Sequence, residues 1–172
     1  MKQPVARVQR AMTSKVVLRE TTEEDFPVFF EQQLDPIANS VAVFGAKDPA
    51  DRNAFTAKWS RILADETITN RTIVFEGRVA GQVLSFTAPW SGLPEVSYWI
   101  GREYWGRGIA TRALSLLLGQ ISLRPIYGRA ARENPASIRV LEKCGFKITG
   151  SDRSFSDSRG EEVDEVLLEL KA

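Results

Sequence analysis

The residues best suited to chemistry in this chain lie between Tyr98 and Thr111. A strand-like run through Ile100 leads into a turn carrying Gly106 and Gly108, and that turn opens directly into a helix whose inward face is Ile109, Ala113, Leu116 and Leu117. Glycines let backbone approach a ligand closely, and the first amides of a helix are unpaired donors at its positive end. Such a turn is an anion site, well matched to a pyrophosphate, and Arg107 adds a charge at the same place. Spacing sorts the phosphate-binding alternatives. A Walker loop needs Lys and then Ser or Thr after its last glycine. Gly101 and Gly106 have the first spacing, but Arg107 and Gly108 stand where those residues belong, so that reading fails. A dinucleotide fingerprint built on Gly106 and Gly108 has Thr111 in place of its third glycine and lies late in the chain, which makes it a weak match.

What is missing narrows the chemistry further. The 172 residues include no histidine and one cysteine, Cys144. This removes Ser-His-Asp and Cys-His nucleophile pairs, intrachain disulfides, and metal sites built on imidazole or paired thiolates. With 23 basic and 22 acidic residues and a net charge of +1, the chain has no electrostatic footprint for nucleic acid or an anionic membrane. No stretch approaches the roughly 20 apolar residues of a membrane helix, and no signal-peptide core opens the sequence. The expectation is a cytoplasmic protein with one domain over residues 15–172. Residues 1–14, with Lys2, Arg7 and Arg10 but no periodicity, read as a disordered extension, with a basic partner-gripping tail as the alternative.

The elements that must position the glycine turn follow from periodicity. A strand over 16–19 precedes a helix from Thr22 to about Gln33, where Asp35 and Pro36 break it. A second helix is signalled over about 48–65 by Phe55, Trp59, Ile62 and Leu63, with a polar loop between the two. Strands over 72–76 and 79–86, joined through Gly77 and Arg78, read as a hairpin. A strand over 95–100, a helix over 108–122, a strand over 126–131 and a helix over 134–144 come next. Strands over 147–155 and 163–170 close the chain around a polar turn at 157–160. The order β-α-α-β-β-β-α-β-α-β-β is that of an α/β or α+β domain with a mixed sheet.

Two motifs carry a family resemblance. The run Trp105-Gly106-Arg107-Gly108-Ile109-Ala110 resembles the coenzyme A loop [Q/R]-x-x-G-x-[G/A] of the GNAT family of N-acetyltransferases, with Trp105 departing from the usual first residue. That departure, and the downstream run from Asn134 through Ser137, Glu142, Lys143, Gly145 and Phe146, resemble the ribosomal-protein alanine acetyltransferases, the RimJ/RimL-like subgroup. The resemblance covers about residues 16–170. It implies a mostly antiparallel sheet of six to seven strands flanked by four helices, acetyl-CoA as acyl donor, and no metal. It further implies an amine acceptor, either a small molecule or a protein N-terminus, and a homodimer. A non-catalytic acyl-CoA sensor would keep the same loop, and a nucleotide-binding module reusing the turn is a third alternative.

Aminolysis of a thioester needs alignment, oxyanion stabilisation, removal of the amine proton and help for the leaving thiolate. Strand alternation puts Glu95, Ser97 and Trp99 on one face and Val96, Tyr98 and Ile100 on the other. Glu95 matches the position of the family's Glu base acting through water, against the alternative of a solvated charge at a strand start. The resemblance assigns the cofactor Tyr98, Ile100, Trp105, Gly106, Arg107, Gly108, Ile109, Ala110, Thr111 and Asn134, the last through a side-chain contact to the pantetheine arm. It places the Ser137 hydroxyl near the sulfur, with Tyr98 and Tyr104 as rival acids. Structure alone explains Asn134 as an N-cap, Pro135 at the first helical position, and Gly145 with Phe146 as a helix stop. Cys144 reads as a core residue. The acceptor side is expected from about residues 26–65 and 151–163, and the sequence leaves open whether Trp59 and Trp90 line it.

Overall fold

The computed structural model describes residues 15–172. The expectation for residues 1–14 lies outside that range. Seven strands, β1 (Val16–Arg19), β2 (Thr69–Phe75), β3 (Arg78–Thr87), β4 (Pro94–Ile100), β5 (Ile126–Ala131), β6 (Lys147–Ser156) and β7 (Glu161–Leu170), form one sheet in the order β1-β2-β3-β4-β5-β7-β6. Every neighbouring pair is antiparallel except β4 and β5, which run parallel and share a single residue pair, Glu95 with Tyr127. Beyond that pair the two strands part.

Five helices cover the sheet: α1 (Phe26–Gln33), α2 (Pro36–Val41), α3 (Arg52–Ala64), α4 (Ile109–Gln120) and α5 (Pro135–Lys143). The apolar stripe of α4, with Ile109, Ala113, Leu114 and Leu117 almost wholly buried, packs with Leu141 of α5 on one face of the sheet against Ile73, Val83, Ile126 and Leu168. On the other face Phe29 and Phe30 of α1 meet Trp59 and Phe55 of α3, in a tilted contact at 4.9 Å and an edge-on one at 5.3 Å, over Val79 and Leu84 of β3. Trp59 is therefore a core residue.

The structure corrects the expected elements in three places. Asp35 and Pro36 end α1, but they also begin α2. The Asp35 carboxylate accepts from the Ile37 and Ala38 amides at 2.9 and 3.2 Å, and Pro36 occupies a first-turn position where its missing N–H costs nothing. The hairpin turn is made by Glu76 and Gly77, at φ 51° and 75°, with Phe75 paired to Arg78. A non-glycine residue in the first left-handed position hid that register from the sequence. The second expected helix is α3, which starts late because Asp51 caps it through the Ala54 amide at 2.9 Å. Pairing of β4 to β3 on one side only leaves its other edge open along most of its length.

Candidate active site

The glycine turn sits at the end of β4. A short 3-10 turn, Arg102–Tyr104, leads to Gly106 and Gly108, both at φ 73°, a left-handed conformation that suits glycine. A Cβ added at either residue would meet nothing within 4 Å, so the turn faces open space. The first backbone bond of the helix runs from the Arg112 amide to the Gly108 carbonyl at 3.1 Å, and no side chain caps α4. The amides of residues 106–111 accordingly have no acceptor among the described residues, and they lie at the positive end of α4. The Trp105 indole donates to the Ile100 carbonyl at 2.9 Å and ties the turn back onto β4, which accounts for a tryptophan at that position. Arg107 is exposed, with its guanidinium 6.0 Å from the Phe75 ring centre. Ile109 is buried in the core and offers only its amide, whereas Ala110 and Thr111 are half-buried on the first turn.

Glu95 lies where β4 and β5 begin to separate, on the face shared with Trp99, as alternation requires. It is 4% exposed, which rules out the solvated strand-start charge. Its Oε1 accepts from Arg129 Nε of β5 at 3.0 Å and from the Trp90 indole at 3.1 Å, whereas Oε2 accepts nothing among the described residues. Arg129 also donates to Asp152 of β6 at 3.1 Å and lies 3.5 Å from Oε2 of Glu165 of β7. Burial lowers the Arg129 pKa, but its bonds to Glu95 and Asp152, with the charges of Glu95 and Glu165, outweigh that and raise it. Glu165 is wholly buried; Ser154 donates to its Oε2 at 2.6 Å, and its Oε1 has no partner among the described residues. Trp90, half exposed, stacks on Phe44 at 5.1 Å beside this group. The loop carrying Phe44 is held to the last hairpin by Ser156, which donates to the Val43 carbonyl, and by Val43 packing on Ala131 and Val163. Residues 42–46 and the β6–β7 hairpin therefore meet on this face. Sequence reasoning missed Arg129, Asp152, Glu165 and Phe44, because they come from separate strands and loops and share no local spacing.

The opposite face of β4 carries the hydroxyls. The Tyr98 side chain reaches across the parting strands to α5, with its oxygen 2.7 Å from Ser137 Oγ and 3.1 Å from the Ser137 carbonyl. Burial pushes the Tyr98 phenol up to about 12, against the hydrogen bond with Ser137 that lowers it. Asn134 caps α5 by accepting from the Ser137 amide at 3.2 Å and donates to the Val41 carbonyl at 3.4 Å, so both ends of its amide are engaged within the chain. Tyr104 instead packs edge-on against Phe75. Gly145 and Phe146 stop α5 as expected, the Phe146 amide reaching the Leu141 carbonyl at 3.1 Å and the Gly145 amide that of Glu142 at 3.0 Å. Cys144 packs against the core, its thiol on the Thr111 carbonyl at 3.4 Å and pushed up by burial, the inert form of a cysteine.

A cofactor with a pyrophosphate and an extended amide-bearing arm fits these features. The free amides of residues 106–111 suit the phosphates, and the open edge of β4 suits the arm. Among the described residues no group of histidine, cysteine, aspartate and glutamate is arranged to hold a metal ion, and no helix is long and apolar enough to cross a membrane.

Comparison with known proteins agrees with this geometry. An uncharacterized N-acetyltransferase p20 of Bacillus licheniformis is 29% identical over 84 residues, 46% of this chain and 47% of that protein. The match thus spans about half of that relative's length. A putative ribosomal N-acetyltransferase, YdaF, of Bacillus subtilis is 27% identical over 137 residues, 74% of this chain and 75% of its own. The fold matches that of Mycobacterium smegmatis RimJ, solved with CoA-disulfide, at a TM-score of 0.76 and 24% identity, covering 91% of this chain and 82% of that one. The acetyltransferase (GNAT) domain model matches residues 15–147, well over half of the sequence, and the chain belongs to that family.

Proposed function

We propose that the protein is an acetyl-CoA-dependent N-acetyltransferase that passes the acetyl group to a primary amine by direct attack on the thioester. The observation that carries this reading is the single-pair contact between β4 and β5, which opens the sheet beside a turn of unpaired amides. Acetyl-CoA supplies an acyl group already activated for aminolysis. The amides of residues 106–111 and Arg107 hold its phosphates, and the free edge of β4 from Tyr98 to Ile100 holds its arm. Asn134 serves by fixing the first turn of α5. Glu95, with Oε1 anchored by Arg129 and Trp90, uses Oε2 to take the amine proton through a water. Ser137, on the other face of β4, donates to the departing sulfur. The two groups thus flank the opening from opposite sides, one for the proton that leaves the amine and one for the charge that appears on the thiolate.

The acceptor is a primary amine, small or at a protein N-terminus, that enters past Trp90 and Phe44. Three carboxylates around one guanidinium favour a cationic group there. We place the enzyme in the cytoplasm, where a lone thiol stays reduced. Thiol release from acetyl-CoA across a panel of small amines and peptide N-termini tests the reading. Release with at least one amine is the expected result. Silence across the panel, with acetyl-CoA still raising the Tm, would leave a binding domain without turnover.

A further inference from the structure

We infer that Tyr98 is a positioning residue for thiolate departure, acting through Ser137. The proposal rests on the acetyl-transfer reading of this site. Tyr98 Oη lies 2.7 Å from Ser137 Oγ and 3.1 Å from the Ser137 carbonyl, so two hydroxyl protons are shared among three oxygens. Two arrangements keep the short Oη–Oγ bond. In the first, Tyr98 donates to the Ser137 carbonyl and accepts from Ser137 Oγ, which closes a ring and leaves Ser137 nothing to give. In the second, Tyr98 donates to Ser137 Oγ, and the serine proton is free to point at a third atom. The Ser137 carbonyl loses little in the change, because it lies in the first turn of α5 and the helical ladder brings it the Leu141 amide.

Placement decides what that third atom is. The Tyr98 and Ser137 pair bridges β4 and α5 where β4 and β5 have parted, opposite the face that holds Glu95. When the tetrahedral intermediate collapses, the carbon–sulfur bond breaks and its electron pair goes to sulfur. Ser137 then donates to the thiolate while its own oxygen accepts from Tyr98, and the thiolate takes its proton from water. A serine hydroxyl that accepts a hydrogen bond is the stronger donor, through mutual polarisation of the chain. The phenol, pushed up to about 12, stays protonated and remains a donor throughout the working range. The Tyr98 hydroxyl therefore turns Ser137 from a closed to an open donor, acting on the sulfur only through the serine.

The test is a double-mutant cycle on Tyr98→Phe and Ser137→Ala, read in turnover and in product binding. Each single variant is expected to lower kcat about tenfold with the acetyl-CoA KM unchanged, and the double variant to fall no further than Ser137→Ala. Ser137→Thr, which keeps the hydroxyl, restores most of the loss. The second readout is independent of turnover. Wild-type protein should bind CoA increasingly better than CoA lacking its sulfur as pH rises through the thiol pKa, and Tyr98→Phe should flatten that dependence. Multiplying effects in the double variant, or an unchanged pH dependence of CoA binding in Tyr98→Phe, would overturn the proposal. Wild-type protein that binds CoA but never releases thiol would instead remove the transfer reading on which it rests.

Discussion

Two of the arginine and carboxylate groups on this sheet differ in how completely they are satisfied. Near β1, Asp25 is 2% exposed and receives Arg19 at 2.6 and 2.8 Å, the Thr22 amide at 3.1 Å and the Thr72 hydroxyl at 2.7 Å. Burial alone would raise the Asp25 pKa, but these donors together hold it below the usual carboxylate range. Every oxygen of that carboxylate has a partner, and its work is to fix the entry of α1. Around Arg129, by contrast, three carboxylates share one guanidinium, and among the described residues Glu95 keeps an oxygen without a donor and the buried Glu165 Oε1 has no partner. Buried polar groups left partly unsatisfied cost stability, and they are retained where chemistry needs them. On the proposed reading, the contrast is that between a structural ion pair and a site.

Four substitutions break or sharpen that contrast. Arg129→Ala has the largest expected effect, because it leaves Glu95 and the wholly buried Glu165 without their cation. Urea unfolding should show a loss of about 3 to 5 kcal/mol, and a loss below about 1 kcal/mol would mean that the cluster is not a coupled unit. Glu95→Gln should lower kcat roughly 100-fold, equivalent to about 2.7 kcal/mol, most strongly at lower pH where the amine is protonated. A pH-rate profile unchanged from wild type would take Glu95 out of the mechanism. Asp25→Asn should cost about 2 kcal/mol at pH 7, Arg19 being partly exposed, with activity per folded molecule unaltered. Because the folded Asp25 pKa is depressed, its contribution is present above the unfolded value of about 3.9 and is lost as pH falls through the folded one. The gap between the two proteins should therefore close in acid, and a gap that persists there would argue against an ionic origin. Glu165→Gln should change stability by less than about 1 kcal/mol, since it replaces an oxygen that already lacks a donor.

The parts legible in the sequence are those written in consecutive residues. The turn at Gly106 and Gly108, the capping of α5 by Asn134 and its stop at Gly145 and Phe146 all depend on neighbours in the chain, and the structure has them where spacing places them. The β-strands were legible for the same reason, through alternation. The helix α2 was not, because Asp35 and Pro36 are equally good at ending one helix and at starting the next. The Arg129 cluster was invisible for a deeper reason. Glu95, Arg129, Glu165 and Asp152 come together only through the order β4-β5-β7-β6, in which the last two strands lie out of sequence order. No local pattern encodes that order. Trp59 and Trp90 show the same limit. Composition treats them alike, yet one is sealed under α1 and the other donates to Glu95.

The central claim is that the amides behind Gly106 and Gly108 hold the phosphates of acetyl-CoA. Calorimetric titration of acetyl-CoA into wild type, Gly108→Trp and Gly77→Trp tests it most directly. Gly77 has nearly the same left-handed φ, 75° against 73°, and the same open surroundings, but lies in the β2–β3 turn, so it matches the backbone strain without touching the cradle. Binding by wild type and Gly77→Trp, with none by folded Gly108→Trp, is the expected result. Equal affinity in all three would contradict the account.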